Sequence, residues 1–245
     1  MEQRIVERIV KSQDKREFKF HRPFGAYVSE CTLSDESHQI LLKGGEKIKK
    51  NRKLQKQNDY RARLAGNLEE EYSYNDALSK EEMTTVVNEF NMMAWAFTQM
   101  SQRAIGRNFS WKREDVICLK PLWVNFMKSG EWNPSHNHAG EISLVTYLKV
   151  PREINEENTK SKHSQKSNTP TAGKIEFTYG DTIPFSNTGL ICTPVEKAVY
   201  IFSAKLKHMV YPFKSKKERW SVSCNFANKH TTKMMLDGEG ETIKE

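Results

Sequence analysis

Residues 219–226 read RWSVSCNF, and alternate positions have opposite character. Arg219, Ser221, Ser223 and Asn225 share one face, while Trp220, Val222, Cys224 and Phe226 occupy the other. Successive side chains of a strand project to opposite faces, so the segment predicts a strand with apolar packing on one side and a cation, two hydroxyls and an amide on the other. Working outward, the same period of two begins near Asp115 and gives strands at Val116 to Met127, Ile142 to Val150, Lys174 to Thr178 and Ala198 to Phe202, separated by turn residues. No helix-length pattern lies between them, which argues against βαβ units and for an all-β core over residues 111–229. Within it, residues 152–172, REINEENTKSKHSQKSNTPTA, are polar and read as a mobile loop, either a lid or a hairpin tip. Residues 230–245 lack periodicity and read as a loose tail.

Upstream, residues 1–110 read as mainly helical. Ser79 followed by Glu82 fits a capping box, and Met83, Val86, Val87, Phe90, Met93, Ala94, Phe97 and Met100 recur at helical spacing. Such a Met-rich stripe is core packing, here expected to support the downstream sheet. A shorter helix is expected from about Asp35 to Leu54, with Gly44 and Gly45 interrupting it.

With 245 residues, 37% hydrophobic and 10% aromatic, the chain can bury a sizeable core, which excludes wholesale disorder. The formal net charge of +8 could suit an anionic partner, but the basic residues are scattered apart from the run from Lys47 to Lys56, which a solvated helix face explains more simply. Nucleic acid is therefore not the favoured partner. Cys31, Cys118, Cys192 and Cys224 form no C-x-x-C pair and are expected to be reduced thiols. No apolar run reaches the roughly 18 to 20 residues of a membrane span, and the start MEQRIVERIV is too charged for a signal peptide, so a soluble, cytoplasmic protein is expected.

His136 and His138 form an H-x-H in WNPSHNH. Residues two apart on a strand face the same way, so both imidazoles can reach one metal while Asn137 points away. His208, in YIFSAKLKHMVYP, is a third candidate from a remote strand, the arrangement a facial metal site needs. Arg219 and Ser221 then have two readings: part of an ordinary solvent face, or a barrel interior in which Arg219 binds a ligand carboxylate bidentately and Ser221 adds a hydrogen bond.

Taken together, Trp123, Asn125, Gly130, His136 and His138, then LVTYLKVP, GKIEF, TP, YIFSAKLKH and RWSVSCNF, resemble in order the iron(II)- and 2-oxoglutarate-dependent oxygenases, particularly a phage and bacterial branch with an H-x-H signature. The resemblance covers about residues 120 to 228; the amino-terminal half matches only loosely, through LAGNLEEEYSY and the long helix. It implies a double-stranded β-helix, or jelly roll, with amino-terminal helices packed outside, in an α+β chain. It implies that His136, His138 and His208 bind Fe(II), and that Arg219 and Ser221 hold the distal carboxylate of 2-oxoglutarate. Tyr147 looks like the tyrosine that often bonds the same carboxylate, or else is a half-buried strand aromatic. Asn125 and Asn225 line the pocket or are ordinary strand polar residues.

The implied activity couples oxidative decarboxylation of 2-oxoglutarate by O2 to C–H oxidation, with a protein side chain such as prolyl as the first substrate to consider and a small molecule as another. A phage-encoded member would act in the host cytoplasm. Two departures stand out. The family's commoner triad has a carboxylate where this chain has His138, with Glu141 or Asp181 as alternative carboxylates, and Glu196-Lys197 stands where a Gly turn is usual. Other readings are a cupin-type metal dioxygenase, which Gly130, His136, His138 and Glu141 nearly fit, and a metal-free basic binding protein.

Overall fold

The computed structural model describes residues 6–11, 17–21, 25–105, 111–162, 164–184 and 186–230. Strands β1 (Val6–Lys11) and β2 (Glu17–His21) form an antiparallel hairpin. Then come β3 (Val28–Thr32), α1 (Asp35–Lys50), α2 (Arg52–Gln57), β4 (Glu71–Ser73) and α3 (Lys80–Ile105). The β region holds β5 (Val116–Met127), β6 (Asn133–His136), β7 (Ile142–Lys149), α4 (Arg152–Lys160), β8 (Ile175–Thr178), β9 (Gly189–Cys192), β10 (Ala198–Ser203), β11 (Lys207–Val210) and β12 (Arg219–Asn228).

The strands from β5 onward divide between two antiparallel sheets. β5, β7, β10 and β12 form the centre of a six-stranded sheet ordered β3-β10-β7-β12-β5-β4, and β6, β8, β9 and β11 form a four-stranded sheet ordered β6-β11-β8-β9. This sharing of eight strands between two sheets is a jelly roll. The larger sheet is covered on both faces. Trp220, Val222, Cys224 and Phe226 pack with Val86, Phe90 and Ala94 of α3 and with Leu41 and Ile48 of α1. The opposite face packs Met127, Tyr147, Tyr200 and Phe202 against Ile175, Phe177 and Val210 of the smaller sheet. The polar row of β12 therefore faces the barrel interior and not solvent.

Several expectations are corrected. β3 and β4 extend the main sheet at its two edges, so the first 110 residues are not wholly helical. β4, β6, β9 and β11 are only three or four residues long, too short to show alternation. Residues 152–172 are not a plain loop: α4 fills 152–160 and a 3-10 turn spans Ser164–Lys166. Glu156 bonds Arg152 at 2.6 Å and Lys160 at 2.7 Å, both at i,i+4 spacing, and Ile154 is fully buried. Those pairs and one buried anchor fix a helix whose polar composition masks it. The capping box is present, with Ser79 N–H donating to Glu82 at 2.8 Å and Glu82 N–H to Ser79 Oγ at 3.2 Å. The apolar stripe of α3 ends before Met100, which is exposed. The tail beyond His230 lies outside the described residues. All four cysteines are free thiols, and among the described residues no helix is long and apolar enough to cross a membrane.

α1 runs unbroken through Gly44 and Gly45 and stops at Asn51, whose side-chain oxygen caps α2 by accepting from Lys53 and Leu54 N–H. The glycines are there for packing. A Cβ at Gly44 would lie 2.6 Å from Leu78 Cδ2 and 3.0 Å from the Tyr74 ring, which is fully buried and tied by its hydroxyl to the Leu41 carbonyl. A Cβ at Gly45 meets nothing closer than 3.4 Å. Gly45→Ala should therefore stabilise by about 0.5 to 1 kcal/mol through helix propensity. Gly44→Ala should cost about 1 to 3 kcal/mol by overpacking. Urea denaturation of the two variants checks this, and equal midpoints would contradict it.

Candidate metal centre

β6 and β11 pair so that His136 and His208 are direct cross-strand neighbours, and Phe177 of β8 flanks His208 on the other side. His138 lies just past the end of β6 and not on a strand as the H-x-H spacing suggested; its N–H donates to the Ala204 carbonyl at 2.8 Å, which turns the chain back over the sheet. Two residues on, Gly140 has φ +88°, and a Cβ there would sit 2.7 Å from the Phe226 carbonyl oxygen. Only glycine fits that crossing, and it sets the path of the loop carrying His138.

One ligand atom from each of His136, His138 and His208 falls within 4.8 Å of the others. His138 Nε2 and His208 Nε2 are 3.1 Å apart. The outward nitrogens are held in turn: His136 Nδ1 lies 2.6 Å from the Pro134 carbonyl and His208 Nδ1 lies 2.9 Å from the Leu206 carbonyl. A carbonyl can only accept, so both Nδ1 atoms carry the proton and both Nε2 atoms present lone pairs. This outer support is typical of metal-binding histidines. Burial pushes His138 down to about 3, the other two imidazoles adding to the effect, and His208 down to about 4; burial lowers His136 as well. The donor set is thus three neutral imidazoles, which fits Fe(II) and equally Zn(II). Glu141 does not join it: one of its carboxylate oxygens accepts from Asn228 N–H at 2.6 Å. Asp181 is exposed and also outside the group.

The imidazoles share a cavity with Arg219, Ser221, Tyr147, Asn125 and Asn225. Ser221 pairs with Asn125 on one side and Tyr147 on the other, giving one row across β5, β12 and β7. Arg219 is 3% exposed. Its Nη1 donates to the Gly173 carbonyl at 2.6 Å, its Nη2 points at Met127 Sδ at 3.0 Å, and its buried Nε has no partner. The guanidinium sits 5.4 Å from the centre of the Tyr147 ring. Burial depresses the Arg219 pKa and pushes the Tyr147 hydroxyl up to about 12. No carboxylate among the described residues pairs with Arg219. A buried guanidinium that lines a cavity and has no carboxylate partner can receive an anion. Asn225 is spoken for, its amide oxygen accepting from Ser143 Oγ at 2.7 Å. The departure at Glu196-Lys197 is accommodated without glycine: Lys197 takes φ +65° and its ammonium pairs with Asp35.

Residues that the sequence reading passed over also line the cavity, among them Glu71 and Asn133. Glu71 lies in the LAGNLEEEYSY stretch, but a three-residue strand flanked by other glutamates offers no pattern to single it out.

Residues 121–225 match the family model described as "Putative 2OG-Fe(II) oxygenase". Among solved structures, a prolyl-4-hydroxylase from Pseudomonas putida is similar at 12% identity with a TM-score of 0.49, over 82% of this chain and 92% of that one. A prolyl hydroxylase from Trichoplax adhaerens, solved with a peptide fragment of a hypoxia inducible factor, is similar at 10% identity with a TM-score of 0.46, over 84% and 86%. No curated protein matches. The segment that matches the 2OG-Fe(II) oxygenase model, residues 121–225, contains all three imidazoles, Arg219, Ser221 and Tyr147.

Proposed function

We propose that the protein is an iron(II)- and 2-oxoglutarate-dependent dioxygenase that oxidises a C–H bond of a primary substrate, with a protein side chain, prolyl first, as the substrate to test. The observation that carries this reading is the pairing, in one cavity, of three convergent neutral imidazoles with a buried guanidinium that has no carboxylate partner. His136, His138 and His208 would hold Fe(II). Arg219 would take the distal carboxylate of 2-oxoglutarate, with Ser221 Oγ and the Tyr147 hydroxyl as further donors in the same row. When bound, the iron and cosubstrate supply the chemistry that couples decarboxylation of 2-oxoglutarate by O2 to hydroxylation.

The chain's own part is binding and exclusion. The jelly-roll walls, Phe177 and Phe202 beside His208 and Trp123 beside His138, keep bulk water from the centre. Three neutral ligands leave the dication's charge to be balanced by the cosubstrate, which ties retention of metal to the presence of 2-oxoglutarate more tightly than a triad with a carboxylate would. Anaerobic addition of Fe(II) and 2-oxoglutarate is expected to give a visible charge-transfer band, abolished in His208→Ala. Folded protein without a band would overturn the reading.

A further inference from the structure

Three buried acceptor oxygens on the β4-β5-β6 side of the cavity have no hydrogen-bond partner: Glu71 Oε2, Asn125 Oδ1 and Asn133 Oδ1. Glu71 is 1% exposed and pairs in register with Asn125, which continues the row through Ser221. The cations near Glu71 are committed elsewhere. Arg61 makes two hydrogen bonds to Asp59, at 2.9 and 2.6 Å, and Lys128 pairs with Glu69 and Glu70. Burial, with Glu131 nearby, pushes the Glu71 carboxyl up to about 7 against a smaller opposing pull from Arg61. Gly66 closes this corner: a Cβ there would stand 2.9 Å from Glu71 Oε1 and 3.0 Å from Asn133 Oδ1. The segment before β4 is itself pinned, Asn67 N–H donating to the Trp132 carbonyl at 3.0 Å.

We propose that Glu71, Asn133 and Asn125 form a subsite for a protonated nitrogen group on the primary substrate, an amine or guanidine, held beside the metal centre under Gly66. The proposal rests on the oxygenase reading and narrows its substrate class to molecules that carry such a group, either on the oxidised residue or on a basic neighbour. The three unpartnered oxygens recognise donors, and a carboxylate among them selects a donor with positive charge. The same charge excludes 2-oxoglutarate, whose carboxylates find Arg219 farther along β12. The cavity thus has a cationic end for the cosubstrate and an anionic wall for the substrate.

The test titrates protein by calorimetry with paired probes, one of each pair carrying a protonated nitrogen group that its neutral twin lacks: Nα-acetyl-lysine amide against acetyl-norleucine amide, the near-isosteric Nα-acetyl-arginine amide against acetyl-citrulline amide, and proline amide against acetylproline amide. It is run anaerobically with Fe(II) and 2-oxoglutarate and again on metal-free protein. In the wild type at least one cationic probe should bind about tenfold or more tighter than its twin, the size of a charge-assisted hydrogen bond. Glu71→Gln should collapse that preference while leaving the charge-transfer band intact, and Gly66→Ala, which fills the corner, should weaken it. Twins that bind alike, or not at all, or a preference that survives Glu71→Gln, overturn the proposal. A missing band counts against the oxygenase reading instead, and the metal-free titration still reports on the subsite.

Discussion

Replacing Arg219 with leucine is expected to raise the dissociation constant for 2-oxoglutarate by about 10²-fold or more, with no matching loss of metal affinity. Truncating one partner of a buried charge pair costs about 2 to 5 kcal/mol, and the guanidinium here is 3% exposed with no protein carboxylate to share. The three imidazoles belong to β6, the loop after it and β11, in the other sheet, so Zn(II) affinity measured without cosubstrate should change little. Arg219→Lys keeps the charge but loses the planar fork, and should fall between wild type and leucine. A purely structural arginine would behave differently. Its loss would unfold the protein, whereas removing a buried, unpaired charge should leave the melting temperature of the ligand-free protein unchanged or higher. Unaltered 2-oxoglutarate affinity in a folded Arg219→Leu variant would remove Arg219 from the site.

The parts that were legible in the sequence are those where one physical pattern runs long enough to be read. Residues 219–226 of β12 alternate cleanly, β5 is a twelve-residue run rich in apolar and aromatic residues, and α3 opens on a capping box and carries its stripe from Met83 to Phe97. The polar face of β12 remained ambiguous from alternation alone, because a solvent face and a barrel interior have the same period. What separates them is the second sheet, of which only β8 was legible, the four-residue strands β6, β9 and β11 being too short to leave a periodic trace. The helix α4 was hidden for a related reason, since composition registers its polarity while the i,i+4 pairing of Arg152, Glu156 and Lys160 and the single anchor Ile154 decide its shape. His136 and His208 could be named as candidates, but their register as cross-strand partners comes only from pairing. Glu71 escaped notice because its burial is imposed by its neighbours across β5 and under Gly66, not by its own segment.

Metal binding should hold nearly constant from pH 7 down to about pH 5.5, where an ordinary three-histidine site would already be losing affinity to protons. An unperturbed imidazole titrates near 6.5, so three of them would take up about two protons over this range, each competing with the metal. Here burial holds His138 at about 3 and His208 at about 4 and lowers His136, so the folded ligands stay neutral and no proton has to leave. The sign for stability is the opposite of benign. A histidine whose folded pKa is depressed contributes stability that is complete above the unfolded value near 6.5 and is lost as pH falls toward the folded one, because the unfolded chain takes up protons that the folded one refuses. The metal-free protein should therefore melt at progressively lower temperature between pH 6.5 and 4, by a few kcal/mol in all. Saturating Zn(II) should restore much of that loss, since binding to the folded state alone stabilises it by mass action. His208→Ala separates the two effects. It removes the first ligand outright, so Zn(II) affinity should drop by more than the roughly 10- to 100-fold seen for losing an outer-shell partner, while the acid sensitivity of the metal-free protein becomes shallower. A steep fall in Zn(II) affinity between pH 7 and 5.5 in the wild type would mean that the imidazoles are solvated and not pre-set for metal, and the facial site would lose its physical basis.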